Sequence, residues 1–241
     1  MTDVVMSLAG KRVVVIGGSS GIGFAVAAIA RERGAEAVIA SSNASRIDAA
    51  VARLPGSTGR TVDLRVEASV SRFFDELGLF DHLVITAGDW SGAAPVAIRD
   101  LDLAALNERL ALRFSGVLAA IKHGSRTIAP DGSITLTSGM LVNRPRKGRA
   151  LVTAIGGATE HLARGLAVDL APVRVNAVCP GLVLTEPVQQ MPEEMVRGYV
   201  AALPLPRAAS PSEAAMAYVY LMLNGYVTGQ VLPVDGGGLL V

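Results

Sequence analysis

Apolar and polar positions follow two alternating rhythms along this chain. Short runs that are apolar on both faces, such as Val13-Val14-Val15-Ile16, give way to stretches where apolar residues return every three or four positions. The short runs predict strands over 12–17, 37–41, 60–63, 82–86, 132–137, 173–178 and 230–234. The longer rhythm predicts helices over 21–33, 45–53, 67–77, 100–123, 152–169 and 212–223. Two-sided apolar strands, each followed by a helix, imply a parallel sheet covered on both faces. Right-handed crossovers then make it a doubly wound α/β sheet of the Rossmann type. No linker, repeat or low-complexity block divides the chain, so 1–241 reads as a single domain. The stretch 185–211 differs: Pro187, Pro192, Pro204, Pro206 and Pro211 surround an amphipathic piece, Glu193 to Ala202. It is expected to act as a substrate lid.

The junction of the first strand and first helix carries the strongest chemistry. It reads Ile16-Gly17-Gly18-Ser19-Ser20-Gly21-Ile22-Gly23. Gly17 allows a tight turn, Gly21 lets a pyrophosphate approach bare backbone, and Gly23 lets the helix pack against the strand. The helix N-terminus adds unpaired N–H groups and a partial positive charge.

Composition narrows the classes. Hydrophobic residues make up 51% of the chain and the net charge is +1. The cations from Arg144 to Arg149 form a short cluster that reads as a solvated loop rather than a nucleic-acid surface. One cysteine, Cys179, excludes an internal disulfide. No uncharged apolar run reaches about 18 residues, the length of a membrane span, and no basic-then-apolar leader is present. The expectation is a soluble cytoplasmic protein with no nucleic-acid or membrane partner and no metal.

Further landmarks appear in order: Asp63-Leu64 after the third strand, Thr86-Ala87-Gly88 after the fourth, and Ser138 closing Thr135-Leu136-Thr137. Arg174 to Gly181 reads Arg-Val-Asn-Ala-Val-Cys-Pro-Gly, Thr185 follows, and Val227-Thr228-Gly229-Gln230 and Val234-Asp235-Gly236-Gly237 close the chain. Together with the glycine turn, these resemble the short-chain dehydrogenase/reductase family over nearly the full length. The resemblance implies a dinucleotide cofactor held by Gly17, Ser19, Ser20, Gly21, Ile22 and Gly23. It also implies contacts from Asp63 and Leu64 at the adenine, from Ala87 and Gly88, and from Pro180, Gly181, Val183 and Thr185 at the nicotinamide. Ser138 stands where the resemblance places the catalytic serine.

The catalytic centre departs from the family pattern. The family's Tyr-x-x-x-Lys falls on Val152 and Gly156, and Arg113 replaces its asparagine. In the family the tyrosine gives a proton to the substrate oxygen, and the lysine lowers its pKa and holds the ribose. Valine and glycine can do neither. Arg113 could supply the lost charge, holding the ribose, Ser138 or a substrate carboxylate, or could instead pair with Glu108 or Asp169. Lys147 could swing inward, and Thr137 or Thr153 could join a hydroxyl relay. His123 and His161 are expected to serve packing or an interface.

After the second strand stand Ser41, Ser42 and Asn43, with Arg46 in the next helix and no acidic residue. An acid there would bind the ribose hydroxyls and repel a 2′-phosphate, so the cofactor expected is NADP (NADPH) rather than NAD. Asn43 could instead cap the helix. The expected function is an NADP-dependent oxidoreductase with an altered proton relay, acting on a small or medium apolar carbonyl or alcohol. Its substrate would lie between Ser138, Trp90, Met140, Leu141 and the lid. A silent NADP-binding sensor or partner subunit, or a non-redox cyclase or isomerase, remains the alternative. The family's helix pairing implies a homotetramer or homodimer.

Overall fold

The computed structural model describes residues 7–88 and 95–241. Among these residues, seven strands form one parallel sheet: β1 (Arg12–Ile16), β2 (Glu36–Ser41), β3 (Thr58–Thr61), β4 (Phe80–Ile85), β5 (Ile128–Thr137), β6 (Arg174–Pro180) and β7 (Val231–Val234). The helices are α1 (Gly21–Glu32), α2 (Ala44–Arg53), α3 (Glu67–Leu77), α4 (Leu103–Leu110), α5 (Gly116–Gly124), α6 (Ala150–Asp169), α7 (Glu186–Gln189), α8 (Glu193–Val200) and α9 (Pro211–Leu223). The spatial order of the strands is β3-β2-β1-β4-β5-β6-β7. The chain runs outward from β1 to β3, then returns to lay β4 along the other side of β1. That reversal opens a crevice at the C-terminal ends of β1 and β4, where doubly wound sheets bind ligands.

Strand periodicity builds two cores. Val14, Ile16, Leu83, Ile85, Ile134 and Leu136 face Phe73, Phe74, Val117 and Ile121. Val13, Val15, Ile39, Val84 and Val178 face Val26, Ala30, Tyr218 and Leu221 of α1 and α9. Each large apolar side chain buried this way contributes about 1.5–3 kcal/mol before chain entropy is charged. The outer strand β3, Thr-Gly-Arg-Thr, is exposed throughout, a polar edge that discourages pairing with another chain. It begins two residues earlier than its sequence predicts, because no apolar period marks it.

The expected helix 100–123 is broken. Between α4 and α5 lies a π-helical turn, Ala111–Ser115, with Arg113 buried in it. Gly116 follows where a Cβ would collide with the Leu64 carbonyl oxygen and lie 2.8 Å from the Leu64 Cβ. The helix is pressed onto the segment after β3, and the π turn absorbs the change of path.

The sixth-strand motif explains how the C-terminal part is held. Arg174 donates to the Leu221 and Met222 carbonyls at the end of α9. The Asn176 amide donates to Val227 O at 2.9 Å and accepts from Gln230 N at 2.9 Å, pinning the turn into β7. At the other end of α9, Ser210 and Glu213 cap each other's backbone N–H groups.

Candidate functional site

The crevice is a cleft of about 510 Å³. Its floor is the turn from β1 into α1: Ile16, Gly17, Ser19, Ser20, Gly21, Ile22 and Gly23 all line it. Gly17 has φ +94°, and a Cβ there would stand 2.5 Å from Ala87 N. A Cβ on Gly23 would collide with the Gly17 carbonyl oxygen. Thr86 straps this turn down. Its Oγ1 donates to Gly17 O at 3.2 Å, so threonine at the asparagine position ties β4 to the turn. Ser20 is the N-cap of α1, yet its side chain makes no capping bond. The first N–H groups of the helix are therefore left for an anion in the cleft.

At one end of the cleft lie Ser41, Ser42 and Arg46, with Val62, Asp63, Leu64 and Arg65. Asp63 accepts from Arg65 N at 3.0 Å, and the two side chains approach to 3.4 Å. Sequence reasoning did not single out Arg65; its signal was a cation two residues past the third strand. Asn43 is not in the lining. Its Oδ1 accepts from Arg46 N at 3.0 Å and Ser45 Oγ at 2.8 Å, so it caps α2.

At the other end stand Ala87, Gly88, Leu112, Thr137, Thr185, Glu186 and Pro187. Thr185 lies against the glycine turn, its Cγ2 3.0 Å from a Cβ built on Gly21. Pro180, Gly181 and Val183, expected at the cofactor, are not in the lining. Gly181 backs onto Asp235, whose Cα would be 2.8 Å from a Cβ there, and Val183 bridges to Ala209. They hold the wall from behind.

Ser138 is the largest departure from expectation. It is 2% exposed, and its Oγ donates to Glu160 Oε1 at 2.8 Å. Thr137 lines the cleft and Ser138 does not, because successive strand residues face opposite ways. The next residue, Gly139, presents no side chain at all. Glu160, 5% exposed on α6, was missed in the sequence; an acid four residues after Gly156, in the middle of the helix, was the available signal. Cys179 completes this buried group, its thiol pushed up to about 11 by burial, which keeps it protonated and inert.

Arg113 lies behind the cleft. It is 8% exposed and lines a small cavity with Ile85, Val117, Leu136 and Thr159, sharing Ala87 and Thr137 with the cleft. The other suggested substitutes are engaged elsewhere. Thr137 Oγ1 donates to Ile85 O at 2.8 Å and meets Tyr218 Oη at 2.9 Å. Thr153 Oγ1 donates to Leu141 O at 3.0 Å. Lys147 is exposed on its loop. His161 Nδ1 donates to Gly157 O, and His123 Nε2 lies 3.2 Å from Glu67. Where a side chain at 156 would start, Val142 Cγ2 stands 2.5 Å away.

The segment after Thr185 folds into α7 and α8 and returns to the C-terminal turn. Leu205 N donates to Gly236 O at 3.0 Å, and a Cβ built on Gly238 would lie 2.9 Å from Met140 Cε. Trp90, the remaining expected substrate contact, lies outside the described residues. No helix among the described residues is long and apolar enough to cross a membrane.

Comparisons with known proteins agree with this geometry. A family model described as enoyl-(acyl carrier protein) reductase matches residues 16–238. The short-chain dehydrogenase/reductase ATR9 of Stachybotrys chlorohalonatus is 34% identical, over 97% of this chain and 99% of that protein. A solved small-chain dehydrogenase in complex with NADPH superposes with a TM-score of 0.83 at 35% identity, covering 96% of this chain and 99% of its own. The MalC reductase/Diels-Alderase of Malbranchea aurantiaca superposes at 0.91 with 33% identity, covering 99% of this chain and 100% of its own.

Proposed function

Because the chain belongs to the short-chain dehydrogenase/reductase family, we propose that it is an NADP-dependent oxidoreductase acting on a small or medium apolar carbonyl or alcohol. The observation that carries this reading is the composition of the cleft's outer end. Ser41, Ser42, Arg46 and Arg65 line it, with Asp63 beside Arg65 at 3.4 Å, and no carboxylate directly follows the second strand. Two guanidinium groups fit a 2′-phosphate, and an NAD site would need an acid to hold the ribose hydroxyls. The NADPH-bound relative supports the same choice.

The glycine turn and the N-terminus of α1 would hold the pyrophosphate, Asp63 and Leu64 the adenine, and Thr185 the nicotinamide end. When bound, the reduced nicotinamide supplies hydride. The chain's own part is to bind, orient and exclude water. The apolar wall of Ala87, Leu112 and Pro187 and the lid over 185–211 serve exclusion. Ser138 donates its proton to Glu160, so that hydroxyl would have to release this bond before it could polarise a carbonyl.

The same observation favours a second reading, a nucleotide-binding protein without turnover. Fluorescence titration with NADPH and NADH, followed by NADPH oxidation against a panel of apolar ketones and aldehydes, separates the two. Tighter NADPH binding with carbonyl-dependent oxidation supports the first reading. Binding without oxidation supports the second. Substrate conversion without net NADPH consumption would support a cyclase or isomerase.

A further inference from the structure

We propose that Glu186, the first residue of α7, weakens the protein's own hold on its nucleotide: the carboxylate opposes the pyrophosphate and so speeds cofactor release. This rests on the cofactor reading above. Among the described residues two carboxylates line the cleft, Asp63 and Glu186. Asp63 is at the outer end, beside Arg65 at 3.4 Å. Glu186 has no hydrogen-bond or ion-pair partner among the described residues.

The acid stands at the turn that the phosphates would use. Glu186 Oε2 is 4.0 Å from a Cβ built on Gly21, the glycine that bares backbone at the start of α1. The first N–H groups of α1, left open by Ser20, draw an anion to this place. A carboxylate beside them repels the same anion.

The backbone keeps the acid there. Leu184 N donates to Ala209 O at 2.8 Å and Ala209 N to Leu182 O at 2.9 Å, so the two limbs of the lid are tied together at its base. Gln189 N donates to Thr185 O at 2.9 Å, and Pro187 restricts the chain directly after Glu186. The short helix cannot carry the acid out of the cleft without breaking that base. Rotation of the exposed side chain remains free, and solvent around it keeps the repulsion moderate.

A reductase exchanges its nucleotide in every turnover, and that release often limits kcat. The two ends of the cleft then divide the work. Arg46 and Arg65 add affinity for the nucleotide that carries a 2′-phosphate. Glu186 subtracts affinity from both nucleotides alike, because the pyrophosphate is common to them.

Glu186→Gln removes the charge and keeps the shape. It should tighten NADPH and NADH by about fivefold each, the scale of one like charge at the edge of a solvated site. ADP-ribose, which carries the pyrophosphate without the nicotinamide, should gain by the same factor in calorimetric titration. Glu186→Asp keeps the charge and should stay within about twofold of the wild type. The gain should shrink as NaCl rises from about 50 mM to about 0.5 M. In stopped-flow displacement by excess NADP+, NADPH should leave the Glu186→Gln variant at least about threefold more slowly, most of the same electrostatic factor. Unchanged or weaker binding in Glu186→Gln, a gain confined to NADPH, a gain indifferent to salt, or tighter binding with an unaltered dissociation rate overturns this proposal alone. A wild type and a variant that both bind neither nucleotide overturn the cofactor reading as well.

Discussion

Ser138 Oγ donates a 2.8 Å hydrogen bond to Glu160 Oε1 in a place where neither side chain meets the cleft. A buried carboxyl group with one strong donor is sensitive to loss of that donor. Ser138→Ala should destabilise the fold by about 1–3 kcal/mol, the penalty for orphaning a buried polar group. In a chain of this size that lowers Tm by about 2–4 °C per kcal/mol. Ser138→Ala with Glu160→Leu removes both partners and should cost less than Ser138→Ala alone. Thermal denaturation of the two single variants and the double variant measures the coupling. Additive losses would contradict it.

The outer end of the cleft predicts cofactor choice. Arg46→Ala and Arg65→Ala should each weaken NADPH binding about tenfold, on the scale of a lost charge-assisted hydrogen bond, and leave NADH binding within about twofold. Ser42→Asp should invert the preference by repelling a 2′-phosphate. Titration of both nucleotides by fluorescence checks all three. An equal loss for NADH and NADPH would place these arginines elsewhere in recognition.

The glycine turn tolerates no side chain. Gly17→Ala combines a positive φ of +94° with a contact 2.5 Å from Ala87 N. It should abolish nucleotide binding and destabilise the fold by more than about 1 kcal/mol. Gly165→Ala is the control, because a Cβ there meets nothing within 4 Å and helix propensity improves. Urea unfolding of the two variants should move in opposite directions.

His82 gives a pH dependence. It is 4% exposed on β4, with Nδ1 2.9 Å from Ser133 Oγ, and burial lowers its pKa from 6.5 to about 4. The unfolded chain therefore takes up a proton at higher pH than the folded one. The stability that neutral His82 contributes is complete above pH 6.5 and falls away as pH drops toward 4. The loss across that window is about 3 kcal/mol, at 1.36 kcal/mol per unit. His82→Gln should flatten the curve of unfolding free energy against pH between those limits. An unchanged slope would assign the acid sensitivity to other groups.

Exposed apolar side chains on the helices beyond β4 and β5 and at the C-terminus predict self-association. Leu103 is 67% exposed, Val168 78% and Leu240 83%. Sedimentation at micromolar concentration should give a dimer or tetramer, and Val168→Glu should shift it toward the 24.8 kDa chain. A monomeric wild type would contradict this.

The fold was legible because both of its signals are local. Strand and helix periods gave every strand within a few residues, and the glycine turn marked the β1–α1 junction. The bounds of the edge strand β3 and the π turn at Arg113 were not legible. The strand has no apolar face to fix its start, and the turn accompanies the contact between Gly116 and Leu64, far apart in sequence. The residues that motif spacing singled out from Ile16 to Gly23 line the cleft floor. The hydrogen bond from Ser138 to Glu160 was not legible, because one residue of strand register decides which side of the sheet a hydroxyl faces. Asn43 had two readings from the start, and its side-chain bonds to Arg46 and Ser45 select the helix cap.

Val142 sets what residue 156 can be. Its Cγ2 fills the space where any side chain on Gly156 would begin, at 2.5 Å from that absent Cβ. A lysine placed at 156 therefore meets a methyl group before it can meet a ribose. The two positions behave as lock and key: enlarging 156 overfills the site, and shrinking 142 alone leaves a void. Val152→Tyr with Gly156→Lys should fold poorly, and adding Val142→Ala should recover stability, as thermal denaturation of the variants would show.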